Sequence, residues 1–221
     1  MIHHDAGTES VTIACEDRDF AEWHNGRRHA AVWAFELDRP EVRDMLGQAR
    51  RRLASLLLPR YERQPHVTVA FAGLIADDDF SDERLDADLA LLRGLLDGPV
   101  ILRATGWDSF PMVPYLRVAA DWPHVAREAL TRSRPLAAES YQPHVTVGMY
   151  DAVVPICEPV RLLDGLPFGG TWELTELSLL RFETADIAGP LEVVGRLSLS
   201  DGGFRHPAEA GVTSCWSTHR K

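Results

Sequence analysis

The chain has 221 residues, 45% of them apolar and 25% charged, a balance that supports a buried core and excludes disordered, collagenous and fibrous architectures. A formal charge of -10 repels polyanions, so a long nucleic-acid duplex clamped by a broad basic surface is excluded and any phosphate recognition must be local. No run approaches the ~18 to 20 apolar residues of a membrane span, and the opening MIHHDAGTES lacks the basic-then-apolar pattern of a secretory leader. The expectation is a cytoplasmic protein with no membrane partner. Cys15, Cys157 and Cys215 are too sparse for a disulfide framework or a metal knuckle and read as reduced thiols.

Residues 1–28 read as a polar arm, with one alternating run at Val11–Cys15 and an aromatic-basic cluster at Trp23–Arg28. His29–Leu37 is apolar and strand-like. Pro40 then opens a helical spacing of Val42, Met45, Leu46, Ala49, Leu53, Leu56 and Leu57 that predicts a helix to Leu58. Its Arg50-Arg51-Arg52 run reads as a solvated face. Pro59 ends that helix and Pro65–Ala72 is a second strand. Ser81 caps a helix to about Leu96, with Gly98 at its end.

Val100–Trp107 and Val113–Ala120 follow as a strand pair, then a helix at Trp122–Arg132 and a strand at Pro143–Met149. Pro155 and Pro159 leave only a short helix after Pro159. Thr171–Phe182 and Leu191–Leu199 are two closing strands, and residues 201–221 lose periodicity and read as a mobile tail.

The order of elements begins twice, and six residues repeat outright: Gln64-Pro65-His66-Val67-Thr68-Val69 and Gln142-Pro143-His144-Val145-Thr146-Val147. A period of 78 residues is too long for a solenoid and fits a duplicated lobe. The predicted fold is α+β: one domain at residues 29–200, built of two pseudo-symmetric lobes, each an antiparallel sheet with outer helices, facing across a cleft. On each motif strand His and Thr share one face while the valines point to the core. A rough two-fold axis brings the two His-Thr pairs to one spot.

Two facing imidazoles suit a reaction in which one proton is removed and another delivered, because histidine exchanges protons near neutrality. Phosphodiester transfer is such a reaction, and threonine hydroxyls supply donors to the non-bridging oxygens. Two His-x-Thr motifs on strands, each preceded by Pro and some seventy to eighty residues apart, resemble those of the two-histidine phosphoesterase superfamily over about Ala30–Leu199. That superfamily includes RNA 2′,3′-cyclic phosphodiesterases and bacterial 2′-5′ RNA ligases. The resemblance implies that His66 and His144 are catalytic, that Thr68 and Thr146 bind phosphate, and that no metal or other cofactor takes part. It also implies a nucleotide or RNA end with a cyclic phosphate as partner, opened to a 2′-phosphate. Both motifs carry Val after Thr where many relatives have Leu, which keeps the packing.

Four further residues are candidate substrate contacts: Tyr115, Arg117, Tyr150 and Arg27. Trp23 either docks the arm on the core or stacks on a base. Ligation of 2′-5′ junctions and a non-catalytic nucleotide or RNA-end binding module are the alternative functions. A structural protein with two satisfied histidines would have no anion affinity at all. The repeats are identical over the motif, so which histidine is acid and which is base stays open.

Overall fold

The chain alternates between two antiparallel sheets, and the computed structural model describes residues 10–132 and 141–207. A helical turn α1 (Ala21–His24) precedes β1 (His29–Glu36), α2 (Pro40–Arg52), β2 (His66–Leu74), α3 (Asp82–Arg93), β3 (Val100–Ser109) and β4 (Pro114–Ala119). After these come α4 (Trp122–Thr131), β5 (His144–Thr146), α5 (Cys157–Leu163), β6 (Thr171–Leu174), β7 (Glu176–Glu183), β8 (Glu192–Ser198) and β9 (Phe204–Arg205). The first sheet has the order β2-β1-β7-β8-β9 and the second β5-β4-β3-β6. Both motif strands are therefore sheet edges, and β2 lies against β5. An edge strand keeps one row of backbone groups free for other partners.

The helices cross over. α2 joins two strands of the first sheet, yet its Glu41 accepts a hydrogen bond from the Trp172 indole of β6 in the second sheet at 3.3 Å. α4 joins two strands of the second sheet, yet it packs on β2, and its Trp122 meets Phe35 of β1 edge-on at 5.7 Å. Each lobe is thus backed by a helix from the other half of the duplication. α3 stays with the first sheet, where the buried carboxylate of Asp88 accepts from the Trp33 indole at 2.9 Å, and α5 packs on β3. Val67, Val69, Val145 and Val147 are fully buried, as the alternation of the motif predicts. No helix among the described residues is long and apolar enough to cross a membrane.

Several boundaries differ from the sequence reading, each for a tertiary reason. α2 stops at Arg52 because Leu56–Leu58 become extended and exchange backbone hydrogen bonds with Met149 and Asp151. α3 ends at Arg93, capped by Gly94, well before Gly98. The stretch Thr171–Phe182 is not one strand: β6 pairs with β3, β7 pairs with β1, and the chain changes sheets at Thr175. The start of the supposed mobile tail is ordered as β9, with Phe204 meeting Trp33 at 6.2 Å; residues 208–221 lie outside the described set, as does Cys215.

The arm is docked rather than loose. Thr12 donates its amide to Val154 and its hydroxyl to Ala152, and Cys15 donates its amide to Tyr150. The alternating run therefore lies along the second lobe with Thr12 inward and Val11 and Ile13 exposed, the reverse of an apolar-inward strand. Trp23 packs against Phe71 at 6.2 Å, which is the docking alternative.

Candidate active site

His66 begins β2 and His144 begins β5, each directly after a proline that cannot donate to a ladder. Both rings are half-buried. The His66 Nδ1 lies 2.8 Å from the Gln64 carbonyl and the His144 Nδ1 lies 2.7 Å from the Gln142 carbonyl. In each case Nδ1 must carry the proton to donate to that oxygen, so the neutral tautomer leaves Nε2 as the free acceptor. The two imidazoles are close enough that a charge on His144 disfavours a charge on His66.

Burial pushes His66 down to about 4, and it also pushes His144 below the ordinary imidazole value. In the open cleft at neutral pH both rings are neutral. An anion between them would stabilise the imidazolium and raise these values again. The second ring is further enclosed by aromatics: Phe110 meets His144 edge-on and Tyr115 lies tilted against it, each at 5.1 Å.

A reciprocal set of contacts fixes the two motif strands. Arg50 of α2 donates from Nε to the Val147 carbonyl at 2.6 Å, and its guanidinium lies over the Tyr61 ring. Arg127 of α4 reaches the Val69 carbonyl at 3.4 Å, and its guanidinium lies over the Tyr141 ring. Tyr61 stands beside the Thr146 side chain, and the Tyr141 hydroxyl donates to the Thr68 carbonyl at 2.8 Å. Those carbonyls are free because β2 and β5 are edges and because β2 carries a register shift opposite Trp33 and Ala34. Sequence reasoning missed these contacts and took Arg50 for a solvated charge. The signal was present in the repeat, since Arg50 and Arg127 stand 77 residues apart and Tyr61 and Tyr141 stand 80 apart, both near the motif period.

The other sequence candidates divide. Arg117 pairs with His144 across β4 and β5, and Tyr115 pairs with Thr146, so both sit on the histidine face of the second sheet. The Arg117 guanidinium lies 3.3 Å from the Asp108 carboxylate and passes over Gly106, where φ is 150° and a Cβ would sit 3.9 Å from it. Tyr115 is 4% exposed and stacked on Phe110 at 4.3 Å, which makes it a wall for His144 rather than an open platform. Tyr150 is corrected: it is fully buried in the core, with its hydroxyl 2.6 Å from Ser109. Arg27 is corrected too. It is paired with Asp78 at 2.5 Å and precedes β1, whose far end, Glu36, is the residue paired with His66. The eight residues of β1 put roughly 20 Å between them.

On the first sheet the histidine face is charged beside His66, where Ser178 and Arg196 both donate to the Glu36 carboxylate, and apolar further along. Val32, Ala34, Leu180 and Leu191 are buried there, with Phe71, Phe182 and Val193 packed against them. A cavity of about 180 Å³ opens beside His66, lined by Leu180, Leu191 and Val193 together with Glu36, Asp38 and Gln64. Among the described residues no three His, Cys, Asp or Glu side chains converge as metal ligands would.

This arrangement agrees with what the chain is similar to. By structure it is similar to the protein TT0787 of Thermus thermophilus (21% identity, TM-score 0.55), with 77% of this chain and 97% of that one covered. It is similar also to Escherichia coli LigT complexed with 3′-AMP (20% identity, TM-score 0.51), with 78% and 99% covered, and to a protein described as a phosphoesterase (19% identity, TM-score 0.51), with 77% and 98% covered. At these identities the likeness speaks for the fold. No curated protein matches it in sequence. Residues 37–186, more than half of the chain, match the model of the 2′-5′ RNA ligase superfamily, and they hold both His-x-Thr motifs and the crossed helices that fix them; the chain belongs to that superfamily.

Proposed function

We propose that the protein is a phosphodiesterase that opens 2′,3′-cyclic phosphates on nucleotides or RNA ends to 2′-phosphates without a metal. The observation that carries this reading is the pair of half-buried imidazoles on adjacent edge strands, each with Nδ1 held by the carbonyl two residues earlier and Nε2 left free. His66, the ring pushed down to about 4, is the poorer proton holder and acts as base. Its Nε2 takes a proton from water as the water oxygen bonds to phosphorus. His144, protonated once the anion is bound, gives its Nε2 proton to the departing 3′-oxygen as the P–O3′ bond breaks. One water is consumed and one 3′-hydroxyl and one 2′-phosphate are produced. The Thr68 and Thr146 hydroxyls donate to the non-bridging oxygens, where charge grows in the transition state, and Arg117 adds a cation from the second sheet.

Incubation with 2′,3′-cyclic mononucleotides, cyclic-ended RNA and 2′-5′ linked dinucleotides, with products separated by the position of the remaining phosphate, tests the reading. The expected product is the 2′-monoester, made equally well in the presence of a chelator. Activity abolished by the chelator and restored by zinc would replace the mechanism, and binding without product would leave a binding module. The division of labour has its own test. A nitrophenyl leaving group needs no protonation, so it should restore much of the rate to His144→Ala and little to His66→Ala.

A further inference from the structure

Among the described residues, the buried side-chain nitrogens without a hydrogen-bond partner are Nε of Arg63 and Nε of Arg117. Both belong to guanidinium groups beside the catalytic pair, one in each half: Arg63 stands three residues before His66, and Arg117 is paired with His144 across the strands. A buried donor nitrogen left without an acceptor is costly, even where the rest of the side chain reaches solvent, and calls for a partner. Arg117 has Asp108 at 3.3 Å. Arg63 makes no ion pair with any described carboxylate. Its guanidinium lies 4.3 Å over the Phe182 ring, and Asp186, the carboxylate nearest in influence, is held by Arg60 at 2.7 and 3.0 Å.

Phe182 is on β7, the third strand in from the edge that carries His66. Two strand spacings place it at least about 10 Å across the sheet from β2. Arg63 therefore reaches from the motif loop over the Phe182 ring, still close enough to His66 for its charge to act on that imidazole. A phosphate already held by two threonines and Arg117 has no need of it, whereas a second anionic group one nucleoside away would meet its fork in two parallel hydrogen bonds. We infer that Arg63, stacked on Phe182, anchors a second phosphate of the substrate, so that the cleft selects nucleotides bearing a phosphate beyond the one that reacts.

This inference rests on the nucleotide phosphodiester reading above, and its test is a binding measurement that needs no turnover. Adenosine 2′-monophosphate and adenosine 2′,5′-bisphosphate are titrated by calorimetry into the full chain and into Arg63→Met, which keeps an apolar stem for Phe182. The natural chain should bind the bisphosphate more tightly by about tenfold or more. Arg63→Met should collapse that ratio towards one, and Arg63→Lys should keep part of it. In the natural chain the ratio should also shrink as salt is raised from low to high ionic strength, a readout that holds even where a variant fails to fold. A natural chain with no preference, a preference that survives Arg63→Met, or one indifferent to salt overturns the anchor. Turnover of cyclic mononucleotides with no bisphosphate preference would sink the anchor alone, and a bisphosphate preference without turnover would sink the phosphodiesterase reading alone.

Discussion

The first lobe delivers its His-x-Thr pair on a nine-residue strand, and the second delivers the same pair on a three-residue strand flanked by loops. Around the pair the lobes part further. The histidine face of the first sheet carries the Glu36–Arg196 ion pair and Ser178 beside His66 and an apolar stretch of Val32, Ala34, Leu180 and Leu191 beyond them, while that of the second carries Arg117, Asp108 and Tyr115. What is shared is what acid-base chemistry on one phosphate needs: two imidazoles with held tautomers and two hydroxyls. What differs is what would hold the rest of a substrate: a closed Glu36–Arg196 pair with an apolar stretch beyond it on one side, and Arg117 with Asp108 and the stacked Tyr115 on the other. Duplication thus preserves the two His-Thr pairs and the contacts that support their strands, and the two faces around them have diverged.

Replacing either histidine tests the shared part most severely. His66→Ala and His144→Ala should each lower turnover of a cyclic phosphate by roughly 10²- to 10⁴-fold, the range for a positioned acid or base. A mild loss in both would mean that the symmetry is structural only. Thr68→Ala and Thr146→Ala come next, at about 10²-fold in kcat for loss of one oxyanion donor. Tyr61 stands beside Thr146, so Tyr61→Phe should move the Thr146 side of the site and leave Thr68 alone, which a comparison of double variants would read out.

The pH dependence should be asymmetric as well. His66 is held at about 4 by burial, below its unfolded value near 6.5, so the unfolded chain binds the extra proton over that interval. The stability associated with a neutral His66 is present above pH 6.5 and is lost as pH falls towards 4, by up to about 3 kcal/mol. His66→Gln should flatten that part of a plot of Tm against pH. The kcat/KM profile, which reports the empty cleft, should be bell-shaped with its maximum below pH 6.5, and the kcat profile should move to higher pH because bound phosphate favours the imidazolium. The smallest effects belong to the reciprocal Arg-Tyr supports. Arg50→Met and Arg127→Met each leave a buried carbonyl short of a donor, which should cost about 1–2 kcal/mol, a few degrees in Tm. Arg50 has the shorter bond and should cost more.

The motif and its duplication were legible because six identical residues on strands carry their facing with them: period-two alternation alone sends Val67 and Val145 inward and His66 and His144 outward. The crossed helices were not legible. Which sheet an amphipathic helix covers is decided by long-range packing, and the face of Val42, Leu46 and Ala49 fits either sheet equally well. The same blindness made Arg50 look like a surface charge, since its partner Val147 lies 97 residues away. Tyr150 misled for a related reason: proximity to a motif in sequence says nothing about facing once the strand has ended at Thr146. β6 and β7 were merged because the single residue between them, Thr175, carries no turn signal, and only the competing partners β3 and β1 divide them.

The proposed chemistry requires two imidazoles, one from each half, to face one phosphate through Nε2. Nitrogen NMR of the His66 and His144 rings during titration with a nucleoside 2′-monophosphate tests it most directly. Both Nε2 signals should move together with saturation, both Nδ1 protons should stay in place, and at least one ring should become easier to protonate. Movement of a single ring, or of neither, would contradict it.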